Sequence, residues 1–137
     1  MRHRKKGKKL GRNIKQRQAL FKSLIQGLII NEQIKTTEAK AKAIKGIMDK
    51  LVTKAKKGSL SARRQVLAFL PNKAVVNKLF DVIAPRTKNR TSGFTRFIRI
   101  GRRKGDNTRM AKIEFIDKKA SAADSKTKTK EKSSKKK

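Results

Sequence analysis

The side chains of this sequence that could do chemistry are almost all cations. MRHRKKGKKLGR fills residues 1–12, and further basic pairs or runs stand at Lys56-Lys57, Arg63-Arg64 and Arg102-Arg103-Lys104. Lysine and arginine in such density suit one task above others, the neutralisation of phosphate. They displace the counterions condensed on a nucleic acid, and a guanidinium can also fork across two phosphate oxygens or stack on a splayed base. Candidate phosphate ligands are therefore Arg2, His3, Arg4, Lys5, Lys6, Lys8, Lys9 and Arg12 in the N-terminal run. Along the rest of the chain they are Lys15, Arg17, Lys35, Lys56, Lys57, Arg63, Arg64, Arg86, Arg90, Arg96, Arg102, Arg103 and Lys104.

The balance of charge supports that chemistry and excludes others. Over 137 residues the formal charge is +32, from 41 Lys and Arg against 9 Asp and Glu. Seven basic and no acidic residues lie in 1–12, 25 and seven in 13–117, and nine and two in 118–137, so the three segments carry +7, +18 and +7. A solvated basic face explains any one of these segments but not all three, whereas a polyanionic partner explains them together. With no cysteine there is no disulfide framework, thiolate metal site or cysteine nucleophile. The only histidine, His3, lies in the basic arm, and the acids are scattered singles apart from Glu114 and Asp117. No carboxylate pair is placed for acid–base work, and no glycine loop for a nucleotide. Neither a metal nor any other cofactor is called for. The longest apolar cluster, Leu24 to Ile30, is interrupted by Gln26 and Gly27 and is far short of a membrane span of roughly 20 residues, and the N-terminus lacks the apolar stretch of a secretory signal.

Elements to position these cations can be read from periodicity. Asn13 caps a helix in which Gln16 completes a capping-box pattern and Ile14, Phe21, Leu24, Ile25 and Leu28 share a face; Asn31-Glu32 ends it. Gln33 to Thr36 is a short strand running straight into a long helix, with Thr36 or Thr37 as cap and Glu38 in the first turn, where the dipole favours an acid. Ile44, Ile47, Met48, Leu51, Val52 and Ala55 form that helix's apolar stripe, opposed by five lysines and Asp49, and Gly58 stops it. Lys42, Lys45 and Lys50 on that opposite side read equally as a solvated face or as phosphate contacts. Ser59 or Ser61 caps a third helix with Leu60, Val66, Leu67 and Leu70 inward, closed by Pro71. A fourth, capped by Asn72, buries Val75, Val76, Leu79, Phe80 and Ile83 and stops at Ala84-Pro85.

After Gly93 the period becomes two. Residues 94–100 and 110–116 read as paired strands, with Ala111, Ile113 and Phe115 on one face, joined by a projecting nine-residue basic connection free to order on contact. Phe94, beside Gly93, reads either as core or as a base-stacking platform. The expected fold class is α+β, about four helices packed on a small two- or three-stranded sheet. Three segments follow: a basic arm over 1–12, one globular domain over 13–117, and a Lys-rich tail over 118–137, with arm and tail disordered for want of anything to bury.

Five blocks in order carry a family resemblance: MRHRKKGKKLGR at 1–12, IKTTEAKAKAIK at 34–45, KKGSLSARRQVL at 56–67, LFDVIAPR at 79–86, and GFTRFIRIG with RRKGD at 93–106. The chain resembles the bacterial-type large ribosomal subunit protein seventeen family over essentially all of residues 1–117. It departs from the family's usual pattern at Gln16, where a histidine often precedes the arginine, and at Gln33-Ile34-Lys35, where Arg-Ile-Glu often stands; the tail goes beyond the common core. The resemblance implies a non-enzymatic constituent of the large subunit, cytoplasmic and in the ribosome. It further implies binding to large-subunit rRNA near the outer end of the nascent-chain exit tunnel and contact with neighbouring ribosomal proteins, with no membrane or small-molecule substrate. A nucleoid-type DNA-binding protein is the alternative that composition leaves open; it would be expected to dimerise and to gather its cations on one bending surface. A nucleic-acid enzyme would need an acid cluster for metal ions, which the sequence lacks.

Overall fold

In a computed structural model that describes residues 7–117, the chain folds as α1 (Ile14–Asn31), β1 (Gln33–Thr37), α2 (Glu38–Lys57), α3 (Leu60–Phe69), a helical run over 73–86 here called α4, β2 (Thr95–Arg102) and β3 (Arg109–Phe115). The arm residues Arg2, His3, Arg4, Lys5 and Lys6 and the whole tail 118–137 lie outside the described residues.

Four helices pack on one three-stranded antiparallel sheet of order β1-β3-β2, so the early strand joins the late hairpin by pairing with its second arm. Ile34 faces Ile113, which faces Phe97, and Thr36, Ala111 and Arg99 form the next row. Because side chains alternate across a strand, this register puts Ile34, Ala111, Ile113 and Phe115 against the helices. The core is the expected stripe of α2, with Ala41 added, packed against Ile25, Leu28 and Ile29 of α1, Val66 and Leu70 of α3, and Val75, Val76, Leu79, Phe80 and Ile83 of α4. Phe94 is fully buried in it, so its core reading holds.

Local chemistry sets most element ends. The Asn13 side chain accepts from the Gln16 backbone N–H at 2.8 Å, Ser59 accepts from Ala62, and Asn72 from Ala74 and Val75, each satisfying first-turn donors that have no partner inside the helix. Gly58, at φ +66°, closes α2 with its N–H on the Ala55 carbonyl.

The structure corrects the sequence expectation in several places. Thr37 is the cap of α2, as one of the two expected threonines, but it caps by backbone conformation alone, with no side-chain cap bond. Ile14 and Leu60, expected inward, are 66% and 65% exposed. Each is the first residue of its helix, before that helix reaches the core. Pro85 does not end α4. The run is α-helical over Lys73–Asn77, widens to a π-helix over Lys78–Ile83, and continues through Ala84–Arg86. A proline ring inside an ordinary α-helix collides with the carbonyl four residues back, and the wider turn just before it is a helical geometry that gives it room. The long connection is shorter than expected. A bulge between Arg99 and Gly101, which sits at φ +136°, absorbs one extra residue, so pairing resumes and runs on to Arg102 opposite Arg109.

One ion cluster ties the ends of the fold together. Glu32, in a left-handed conformation at the end of α1, accepts from the Arg86 guanidinium at 3.0 and 3.1 Å, and Lys78 approaches it at 3.8 Å. Glu32→Ala would leave Arg86 half-buried without its anion, and loss of a charge-assisted hydrogen bond of this kind costs about 1.5–3 kcal/mol. Urea unfolding is expected to show that loss with the slope unchanged; a midpoint equal to that of the parent would show that the cluster is solvated rather than structural.

Candidate nucleic-acid interface

Among the described residues no group of His, Cys, Asp and Glu is placed to hold a metal, and no helix is long and apolar enough to cross a membrane. What the surface offers is cations, and the structure divides them by whether they already have a partner.

Several predicted ligands are spoken for inside the chain. Arg63 lies over the Phe80 ring at 4.7 Å and donates to Asn77 and Asp81. Arg86 is held by Glu32 and Arg90 by Asp117. Arg96 donates two hydrogen bonds to Glu114, which Lys112 also reaches at 2.8 Å; the two long cations cover that carboxylate and leave it 4% exposed on the open face of the sheet. Lys56 does not stand on the outer side of α2. Its ammonium donates to the Lys88 and Arg90 carbonyls and lies over the Phe94 ring at 5.4 Å, while Asp49 accepts from the Phe94 N–H. Arg17 folds back onto the arm, donating to the Lys9 and Arg12 carbonyls.

The remaining predicted cations have no carboxylate partner among the described residues. Lys8, Lys9 and Arg12 continue from the arm, and Lys15 stands at the exposed start of α1. Lys35 lies on the open sheet face, Lys57 and Arg64 flank the turn from α2 to α3, and Arg102 and Lys104 stand at the hairpin end. Of the lysines with two readings on α2, Lys42 is paired with Glu38 at 2.6 Å. That ammonium, with Arg99 and Arg109 adding to it, holds the Glu38 carboxyl below its ordinary value.

The hairpin end is closed by a network of hydrogen bonds centred on Asp106. Asp106 accepts from the Arg103 guanidinium at 3.1 and 2.6 Å, from the Thr108 N–H at 3.2 Å and from the Thr108 hydroxyl at 2.7 Å, and the Arg103 N–H closes the loop on the Thr108 carbonyl. Arg103 first, then Thr108, holds the Asp106 carboxyl far below its ordinary value. Arg103 is thus a brace of the loop, and the connection is already shaped without a ligand.

Sequence reasoning passed over Arg109. The structure puts it at the first position of β3, on the wall of an open cleft of about 390 Å³ lined by Lys8, Thr37, Glu38, Ala39, Lys42 and Thr108 as well. The arm, the start of α2 and the hairpin therefore meet at one place. Arg109 is the cross-strand partner of Arg102, a pairing that depends on the bulge at Arg99–Gly101 and so could not be read from regular alternation.

A polycationic α+β module, with no metal-binding group of His, Cys, Asp and Glu among the described residues, is the class these features define. Comparison with known proteins agrees: the sequence model of the family described as Ribosomal protein L17 matches residues 20–116. A protein of Mesorhizobium japonicum named large ribosomal subunit protein bL17 is 49% identical over 89% of this chain and 85% of its own length. One of the same name from Symbiobacterium thermophilum is 50% identical over 81% of this chain and 98% of its own length. The chain belongs to the ribosomal protein L17 family, a family of structural proteins and not of enzymes.

Proposed function

We propose that this protein is a structural constituent of the large ribosomal subunit that binds and stabilises large-subunit rRNA through its basic arm, helix faces and hairpin, in the cytoplasm and in contact with neighbouring ribosomal proteins. The similarity to relatives named as large-subunit proteins, extending over most of the chain, carries the reading. The surface is compatible with it, since cations without carboxylate partners occur on the described part of the arm, on α1, at the α2–α3 turn and at the hairpin end. Such cations suit contact with a phosphate backbone. The family resemblance implies a position near the nascent-chain exit tunnel. No cofactor, membrane or small-molecule substrate is needed for this role. Family membership leaves the nucleoid-type alternative without a supporting observation.

Sedimentation tests the proposal. The full chain is expected to travel with the large subunit through a high-salt sucrose gradient, where a nonspecific DNA binder washes off. A chain ending at Asp117, which keeps the Arg90–Asp117 ion pair, is expected to remain in the same peak. Finding the full chain in the free fractions overturns the proposed role; finding only the shortened chain there would make the tail an anchor.

A further inference from the structure

The hairpin end holds two features that RNA binding by loose basic loops does not require. One is a like-charge pair: Arg102 and Arg109 are direct cross-strand partners at the last rung of the β2–β3 ladder. Side chains so opposed have Cβ atoms about 4.5–5.5 Å apart, and like charges there destabilise the pair unless an anion sits between them. The nearby acid, Glu38, is close enough to feel Arg109 but is already engaged by Lys42 at 2.6 Å and Arg99 at 3.5 Å. The other feature is Asp106, an acid at the tip of a basic loop. Electrostatics alone would disfavour it beside a polyanion, yet it accepts four hydrogen bonds that fix Arg103 and Thr108 on either side of the turn. Thr108 is the residue immediately before Arg109, so the same bonds fix where β3 begins.

We infer that the hairpin end is a preformed clamp for RNA phosphate, in which Arg109 joins Arg102 as a ligand and Asp106 is the positioning residue that holds the loop in binding shape. The inference rests on the rRNA-binding reading. Arginine suits the ligand role because its planar fork can span two oxygens of one phosphate. Asp106 never touches the ligand; its contribution is to spare the loop the entropy of ordering on contact.

The sign of one substitution tests this. Affinity of the full-length protein for a large-subunit rRNA transcript would be measured by filter binding at several salt concentrations, for the parent chain and for Asp106→Ala, Asp106→Asn and Arg109→Ala. If Asp106 were only a misplaced charge, removing it would tighten binding. The positioning role instead makes Asp106→Ala weaker by about tenfold, the order expected for fixing the backbone of a loop residue anew. Asp106→Asn loses the same charge but keeps an acceptor for the Thr108 N–H, so it should fall between Ala and the parent, and that comparison stands even if Asp106→Ala melts early. Arg109→Ala should weaken binding and lower the slope of log affinity against log salt by about 0.7–0.9, one phosphate contact, while the Asp106 variants keep the parental slope. Asp106 variants that bind as tightly as the parent or tighter, or an Arg109→Ala slope equal to the parent's, overturn the clamp. A parent chain that does not bind the transcript overturns the rRNA reading itself.

Discussion

A Phe94→Ala variant is expected to unfold about 3–5 kcal/mol more easily than the parent, the usual cost of removing a fully buried phenylalanine. Phe94 is 0% exposed. Its ring lies under the Lys56 ammonium, its N–H donates to the Asp49 side chain, and its carbonyl accepts from the Ile116 N–H, so it joins α2 to the sheet at the point where β2 begins. Truncation would open a cavity among α2, the sheet and the loop after α4, and would leave the Lys56 ammonium without its ring. For a folded unit near 100 residues this loss corresponds to a fall in melting temperature of roughly 15–30 °C. Where the variant is still folded, its RNA affinity should show the parental salt slope, because no phosphate contact has been removed. Thermal melting followed by circular dichroism, alongside filter binding, checks both halves. A parental melting temperature with weakened RNA binding would restore the stacking reading and contradict the burial of the ring.

Deleting residues 1–12 should produce the opposite pattern, with melting unchanged and RNA binding severely weakened. The arm brings seven basic side chains and no acid. Its described part, residues 7–12, buries nothing fully and is joined to α1 chiefly by the Arg17 hydrogen bonds to the Lys9 and Arg12 carbonyls. If most of the seven meet phosphate, the slope of log affinity against log salt should fall by up to about 5, since each contact contributes roughly 0.7–0.9. Affinity at low salt would then drop by orders of magnitude more than at high salt. Titrations of the full and shortened chains against one rRNA transcript at four or more salt concentrations measure the difference. Equal slopes would show that the arm does not meet phosphate and would move the interface to the folded part.

The two variants separate what holds the fold from what holds the partner, and the chain keeps these roles apart in an instructive way. The stretch 13–117 contains seven acids. In the fold Glu32, Glu38, Asp81, Asp106, Glu114 and Asp117 each form an ion pair with a lysine or arginine, and the seventh, Asp49, accepts from the Phe94 N–H. The few acids of this basic protein are thus spent on internal order. The arginines and lysines they engage brace the fold, and the other cations have no carboxylate partner among the described residues.

What the sequence determined by itself was local. Helix caps at Asn13, Ser59 and Asn72, the glycine stop at Gly58 and the apolar stripe of α2 depend on neighbours within one or two turns, so they could be read in order along the chain. So could the alternation of Ala111, Ile113 and Phe115. The excess of positive charge depends on no structure at all, and it was enough to point to a polyanion. Tertiary structure alone decided which cations are free. Arg86 meets Glu32 across 54 residues, Arg90 meets Asp117 across 27, and Arg96 meets Glu114 across 18. In the sequence these arginines look the same as Arg64 or Arg102. The difference arises because the folded chain brings distant carboxylates within hydrogen-bond reach, as where β2–β3 pairing sets Arg96 opposite Glu114, and a charge pair forms through space at about 3 Å whatever the separation along the chain.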